Sequence, residues 1–195
     1  LCHEFDALFI LDEVQTGVGL TGTNWAYQQL GLEPDVVAFA KKVQLGGIMA
    51  GRRVDLVPNN VFHVSSRINS TWGGGLADMV RSRRLLEIIE HDHVIDQVAG
   101  LGAVLLKGLH RVGRAHPAMV SNVRGRGLMC ALDVATPALR TSVRKKLYDD
   151  EHVIALGCGE RSIRFRPSLA VTTEELNQAV TSLDRVLTTM EAKAN

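Results

Sequence analysis

The chain has 195 residues, 46% hydrophobic and 22% charged, with a net charge of +1, so it can bury a core and has no electrostatic basis for binding nucleic acid or a membrane surface. No apolar stretch approaches the roughly 18 residues that a membrane-spanning helix needs, and no signal peptide is visible, so a cytoplasmic protein is expected. Three cysteines (Cys2, Cys130 and Cys158) and the histidines, His91-Asp92-His93 included, lack metal-ligand spacing, so no metal is expected.

The chain begins at Leu1 in sequence that reads as domain interior, which fits a fragment. Ala7-Leu8-Phe9-Ile10-Leu11 is an apolar run stopped by Asp12 and Glu13, and predicts a strand buried on both faces. The turn-rich segment Gln15 to Gly22 and a short helical piece around Trp25 to Leu30 follow. Pro34 then opens a second apolar run, Val36 to Ala40, which ends in Lys41-Lys42. Two such strands joined by a crossover are parallel and share a carboxyl edge. α/β proteins bind ligands at that edge. Ile48-Met49-Ala50-Gly51 predicts a strand beside the Lys41 strand, and residues 58 to 75 read as loop.

From Ala77 to about Val112 the spacing turns helical. Val94, Val98, Leu101, Leu105, Leu109 and Val112 predict an amphipathic helix that follows a linker helix. Gly127 to Asp133 predicts a strand, and Arg124-Gly125-Arg126-Gly127-Leu128 reads as a turn leading into it. Thr136-Pro137 starts a helix with threonine as N-cap and proline in the first turn. Val153 to Leu156 and Ser162 to Phe165 predict short strands, and Cys158 between two glycines predicts a turn. Thr172-Thr173-Glu174-Glu175 is a capping box ahead of a C-terminal helix.

Asp12 and Lys41 both fall at a strand's carboxyl end. A carboxylate and an amine facing one molecule suit pyridoxal phosphate, whose ring nitrogen calls for an acid and whose aldehyde calls for a lysine. An apolar run ending in Asp-Glu also fits the magnesium-binding strand of an ATPase. That reading requires a Gly-Lys-Ser/Thr loop, and this sequence has none. Lys42 is a rival to Lys41, and on an extended segment it would point to the opposite side.

Asp12-Glu13-Val14-Gln15-Thr16-Gly17-Val18-Gly19-Leu20-Thr21-Gly22, followed by Pro34-Asp35-Val36-Val37-Ala38-Phe39-Ala40-Lys41, resembles the signature of class III aminotransferases. Lys41-Lys42-Val43-Gln44, Met49-Ala50-Gly51-Arg52-Arg53 and Ser66 to Gly74 resemble the lysine 6-aminotransferase branch. The resemblance extends over essentially the whole chain and the C-terminal half or so of a family member. It implies the C-terminal part of a fold-type-I pyridoxal-phosphate large domain (1–76), a linker helix and first small-domain helix (77–112), and a small α+β domain (113–195).

By the same resemblance Lys41 forms the Schiff base and shuttles protons, and Asp12 holds the ring nitrogen. Val14 packs on the ring and Gln15 bonds its phenolic oxygen. Ser70 and Thr71 suit a phosphate, Thr71 that of a neighbouring protomer, which implies a homodimer. Arg164 in Ile163-Arg164-Phe165-Arg166-Pro167 matches the arginine that grips a substrate carboxylate, a bidentate contact. Arg166 would share its face on a regular strand. Glycine at 75 and serine at 168 depart from the family's usual asparagine and proline. The implied reaction passes the ε-amine of L-lysine to 2-oxoglutarate, giving 2-aminoadipate 6-semialdehyde and glutamate. Ornithine and 4-aminobutyrate are alternative donors, and a non-catalytic fragment is an alternative of another class.

Overall fold

The computed structural model describes residues 1–68, 71 and 73–192, which form two compact units. The first unit is residues 1–19 and 23–94, and the second is residues 20–22 with everything from Ile95 onward.

The first unit holds a three-stranded sheet in chain order: β1 (Ile10–Asp12), β2 (Val36–Phe39) and β3 (Gly47–Ala50). β1 and β2 run parallel with Asp12 opposite Ala38, and β3 returns antiparallel with Gly47 opposite Phe39. The expected parallel pair and third strand are therefore present. The helical piece after Trp25 is a 3-10 turn, Ala26–Leu30. A helix, α1 (Leu76–His91), closes the unit. The expectation that β1 is buried on both faces is corrected: Ile10 is 60% exposed. An apolar run signals burial only where another layer covers it, and β1 is an edge strand whose Ile10 side meets no such layer among the described residues.

The second unit is an antiparallel sheet covered by helices. Its strands are β4 (Val120–Arg126), β5 (Met129–Val134), β6 (Leu156–Cys158) and β7 (Ser162–Phe165), in the order β4-β5-β7-β6. The helices are α2 (Val94–Ala115), α3 (Pro137–Asp149) and α4 (Thr173–Glu191). Leu105, Leu109, Val143, Leu147, Leu183 and Leu187 from the helices meet Leu132, Val134 and Ile163 in one core. The N-caps act as expected. Thr136 accepts from the Leu139 N–H, and Thr172 and Glu175 form a reciprocal capping box that stabilises α4 by about 1 kcal/mol.

Three local expectations change. Arg124 to Arg126 lie in strand β4, and the turn is only Gly127-Leu128, a two-residue hairpin loop. Most β4 side chains are exposed, so the apolar alternation that marks a strand is missing. The strand expected at Val153–Leu156 begins at Leu156, and Cys158 ends that strand rather than forming a turn. Val153 is held outside the ladder by its N–H, which donates to the Leu147 carbonyl at the end of α3.

Candidate active site

The parallel pairing of β1 and β2 brings Asp12 and the segment after Phe39 to one sheet edge. The Glu13 N–H extends the ladder by one step, donating to the Ala38 carbonyl at 2.9 Å. Asp12 is exposed at that edge, and its Oδ1 accepts from the Val14 N–H at 2.9 Å, which fixes the carboxylate at the strand end. β2 stops at Phe39, two residues before Lys41. Lys41 opens a 3-10 turn, Lys41–Val43, with a left-handed φ of 54°. That conformation is uncommon for a residue with a side chain. Lys41 is exposed on the turn.

Lys42 is separated from Lys41 by what it touches. Its Nζ donates to the carbonyls of Gln15 at 3.1 Å and Gly17 at 3.4 Å, tying the β2 end to the loop after β1. The reason expected for its structural role does not apply, because the segment is a turn and has no strand alternation. Carbonyl contacts assign the ammonium instead.

The loop from Glu13 to Gly19 is built around a buried acid. Glu13 accepts from the Tyr27 N–H at 2.8 Å and from the Thr16 hydroxyl. At Gly17 a Cβ would stand 2.5 Å from the Trp25 ring, so only glycine lets that ring lie against the loop. Trp25 in turn meets Phe39 at 6.1 Å between ring centroids. Val14 and Gln15 are half-buried in this loop. Asp35 ties the strands from the other end, accepting from the Phe9 N–H and from Arg53 Nη1, both at 2.8 Å.

Thr71 is exposed in the turn ahead of α1, whose N-cap is Gly75. Ser70 lies outside the described residues. Arg164 belongs to the second unit, in mid-β7. Its neighbours Ile163 and Phe165 are buried in the core, so Arg164 projects from the opposite sheet face. It lines a cavity of about 210 Å³ with Leu156, Arg166 and Pro167. The first unit thus brings Asp12, Val14, Gln15 and Lys41 to one edge region.

The sequence profile described as Aminotransferase class-III matches residues 1–187. The chain belongs to the class-III aminotransferases. Among members of the family it is 57% identical over 183 residues to an L-lysine-epsilon aminotransferase of Streptomyces clavuligerus, covering 94% of this chain and 40% of that protein. It is 52% identical over 187 residues to the L-lysine-epsilon aminotransferase of Mycobacterium tuberculosis, covering 96% of this chain and 41% of the relative. A solved lysine aminotransferase from M. tuberculosis, in its internal aldimine form, superposes with a TM-score of 0.91 at 51% identity, over 96% of this chain and 43% of that one. The fold is the mixed α/β fold of this class. The chain spans about two fifths of the length of the curated relatives it matches.

Two groups escaped the sequence reading of this chain. Glu13 figures in the sequence only as the residue that stops the first apolar run with Asp12, though its place before a Thr three residues on is a local hydrogen-bonding signal. Arg124 passed for a turn residue, yet it forms a salt bridge with Asp133 at 2.9 Å across the second sheet.

Proposed function

We propose that this chain carries the amine- and carboxylate-bearing part of a pyridoxal-phosphate-dependent aminotransferase, with L-lysine as amino donor and 2-oxoglutarate as acceptor. The observation that carries this reading is the parallel β1–β2 pair, which gives one sheet edge both a fixed carboxylate and an exposed lysine. The donor set fits the cofactor: an acid for a ring nitrogen, an amine for an aldehyde, and Lys42 withdrawn into carbonyl contacts. Similarity to lysine-epsilon aminotransferases at 52% and 57% identity supports the choice of donor.

Bound pyridoxal phosphate supplies an aldehyde that links to amines and a ring that draws electrons from the adjoining carbon. Lys41 Nζ would be the amine that holds the aldehyde, and as a free amine it would serve as the general base toward the donor carbon. The Asp12 carboxylate, oriented by the Val14 N–H, keeps a proton on the ring nitrogen. Val14 covers the ring face, and Gln15 donates to the ring oxygen. Ser70 and Thr71 bind phosphate, Thr71 across a homodimer. Arg164 orients a substrate carboxylate.

The test is a visible-absorbance titration of the chain with pyridoxal phosphate, alongside Lys41→Ala and Lys42→Ala. The expected result is a visible band that disappears only in Lys41→Ala. A band that survives in Lys41→Ala and is lost in Lys42→Ala overturns the assignment of the amine. Absence of a band in all three removes the cofactor site from this chain. Lysine, ornithine and 4-aminobutyrate, each offered with 2-oxoglutarate, then rank the donors.

A further inference from the structure

The second sheet has one face in the core and one polar face, and β4 reaches the polar face by an irregularity. Ser121 pairs with Asp133, but the next pair is Arg124 with Ala131, three steps along β4 against two along β5. The extra residue is a β-bulge, and Asn122 within it has a left-handed φ of 48°. Without that residue Arg124 would pair with Cys130, whose side chain is buried in the core. A one-residue slip exchanges the faces of everything beyond it. The bulge therefore transfers Arg124 to the face of Ala131, Asp133, Ser162 and Arg164.

On that face Asp133 is opposite Ser162, and Arg164 is two residues beyond Ser162 on β7, diagonal to Asp133. Diagonal neighbours stand about 7–8 Å apart, within reach of an arginine. Asp133 is nonetheless engaged on both oxygens. Its Oδ1 accepts from Arg124 Nη1 at 2.9 Å and from the Ser162 hydroxyl at 2.6 Å, and its Oδ2 accepts from Asn122 Nδ2 at 2.9 Å. Arg124 Nη2 also donates to Ser162 Oγ at 3.2 Å. Burial pushes the Asp133 carboxyl up, and the hydrogen bonds from Ser162, Asn122 and Arg124, with the Arg124 charge, more than reverse that, to about 2.

We propose that Arg124 is a positioning residue for the substrate-binding arginine: by occupying Asp133 it prevents that carboxylate from competing with a substrate carboxylate for Arg164. The proposal rests on the reading of Arg164 as the carboxylate-binding group. It explains why a strand otherwise poor in packing residues spends a bulge on one guanidinium. An acid on the same face as a carboxylate-binding arginine is a built-in inhibitor unless another cation holds it. Arg124 is that cation.

The experiment measures the affinity of every variant for glutarate and for 2-oxoglutarate by calorimetry, and follows the Arg164 Nε–H signal of the ¹⁵N-labelled chain for contact wherever Arg164 is present. Arg124→Ala is expected to bind about tenfold more weakly, the scale of one well-placed charge contact. Adding Asp133→Asn to Arg124→Ala is expected to restore affinity to within about twofold, a rescue that loss of structure does not predict. Arg124→Gln/Asp133→Asn, which nearly conserves size and removes both charges, serves if the alanine variant unfolds, and is expected to bind within about twofold of wild type. If Arg164→Ala binds like wild type, the carboxylate reading falls and this proposal with it. If Arg164→Ala loses binding while Arg124→Ala keeps it, or while neither double variant regains it, the proposal alone is overturned.

Discussion

At the scale of single residues, the acid that the fold buries in the first unit is Glu13, while its neighbour Asp12 is left exposed at the strand end. A buried carboxylate keeps its place only when its oxygens are satisfied, and Glu13 is satisfied by the Tyr27 N–H and the Thr16 hydroxyl. Glu13→Ala leaves the half-buried Tyr27 N–H without its acceptor and is expected to cost about 1–3 kcal/mol. Chemical denaturation measures the cost, and hydrogen exchange at the Tyr27 amide should accelerate. In the second unit His116, only 5% exposed at its side chain, bridges two acids of α4: Nδ1 to Glu191 and Nε2 to Asp184, both at 2.9 Å. Burial lowers its pKa, and the hydrogen bonds to Glu191 and Asp184 raise it by more, leaving it above the ordinary 6.5. A raised folded pKa gives stability that is full below 6.5 and is lost as pH rises through the folded value. The melting temperature should therefore fall as pH rises above 6.5 more steeply in wild type than in His116→Gln. Parallel curves for the two proteins would show that the bridge contributes nothing. Asp12 and Lys41 were legible in the sequence because strand ends and turn residues flank them. The His116 bridge spans 68 and 75 residues of chain and leaves no local trace.

At the scale of elements, patterning found α2, α3, α4 and β7, because each has one clear apolar face and, for α3 and α4, a side-chain cap, and it found β2 as a continuous apolar run. It missed β4, whose contribution is polar, and displaced the start of β6, where apolar Val153 and Ile154 precede the ladder. What fixes the β4–β5 hairpin is backbone proximity rather than side-chain pattern. A Cβ on Gly102 of α2 would lie 2.3 Å from the Gly127 carbonyl oxygen, and one on Gly127 would lie 2.6 Å from the Leu20 carbonyl oxygen. The turn is wedged between a helix and a loop, and Gly127 also has φ +55°. Gly102→Ala usually favours a helix by up to about 1 kcal/mol, but here backbone faces the new methyl and cannot swing aside. We expect net destabilisation of about 1–3 kcal/mol, read from urea midpoints at unchanged slope. A midpoint at or above wild type would mean that α2 has room to retreat from the turn.

For the whole molecule, the change of periodicity after residue 76 marks the start of α1, whereas the two units part after Val94. What no periodicity announces is that Leu20, Thr21 and Gly22 belong to the second unit while both their flanks belong to the first. Leu20 is fully buried in the second core, and its carbonyl accepts from the Leu128 N–H at 2.9 Å. Leu20→Ala is expected to cost about 2–5 kcal/mol, the range for a buried leucine that leaves a cavity. The loss should appear in hydrogen-exchange protection of β5 and α2; if only amides of the first unit lose protection, Leu20 is not part of the second core. Because of this insertion the polypeptide passes between the units three times, after Gly19, after Gly22 and after Val94. A single proteolytic nick between residues 23 and 94 therefore leaves each unit with its own parts, and the two pieces stay joined through the Leu20 stitch. Excision of residues 95–192 removes that stitch and exposes the apolar seat it filled, so the second unit is better regarded as a lock supplied with its key by the loop that follows Asp12.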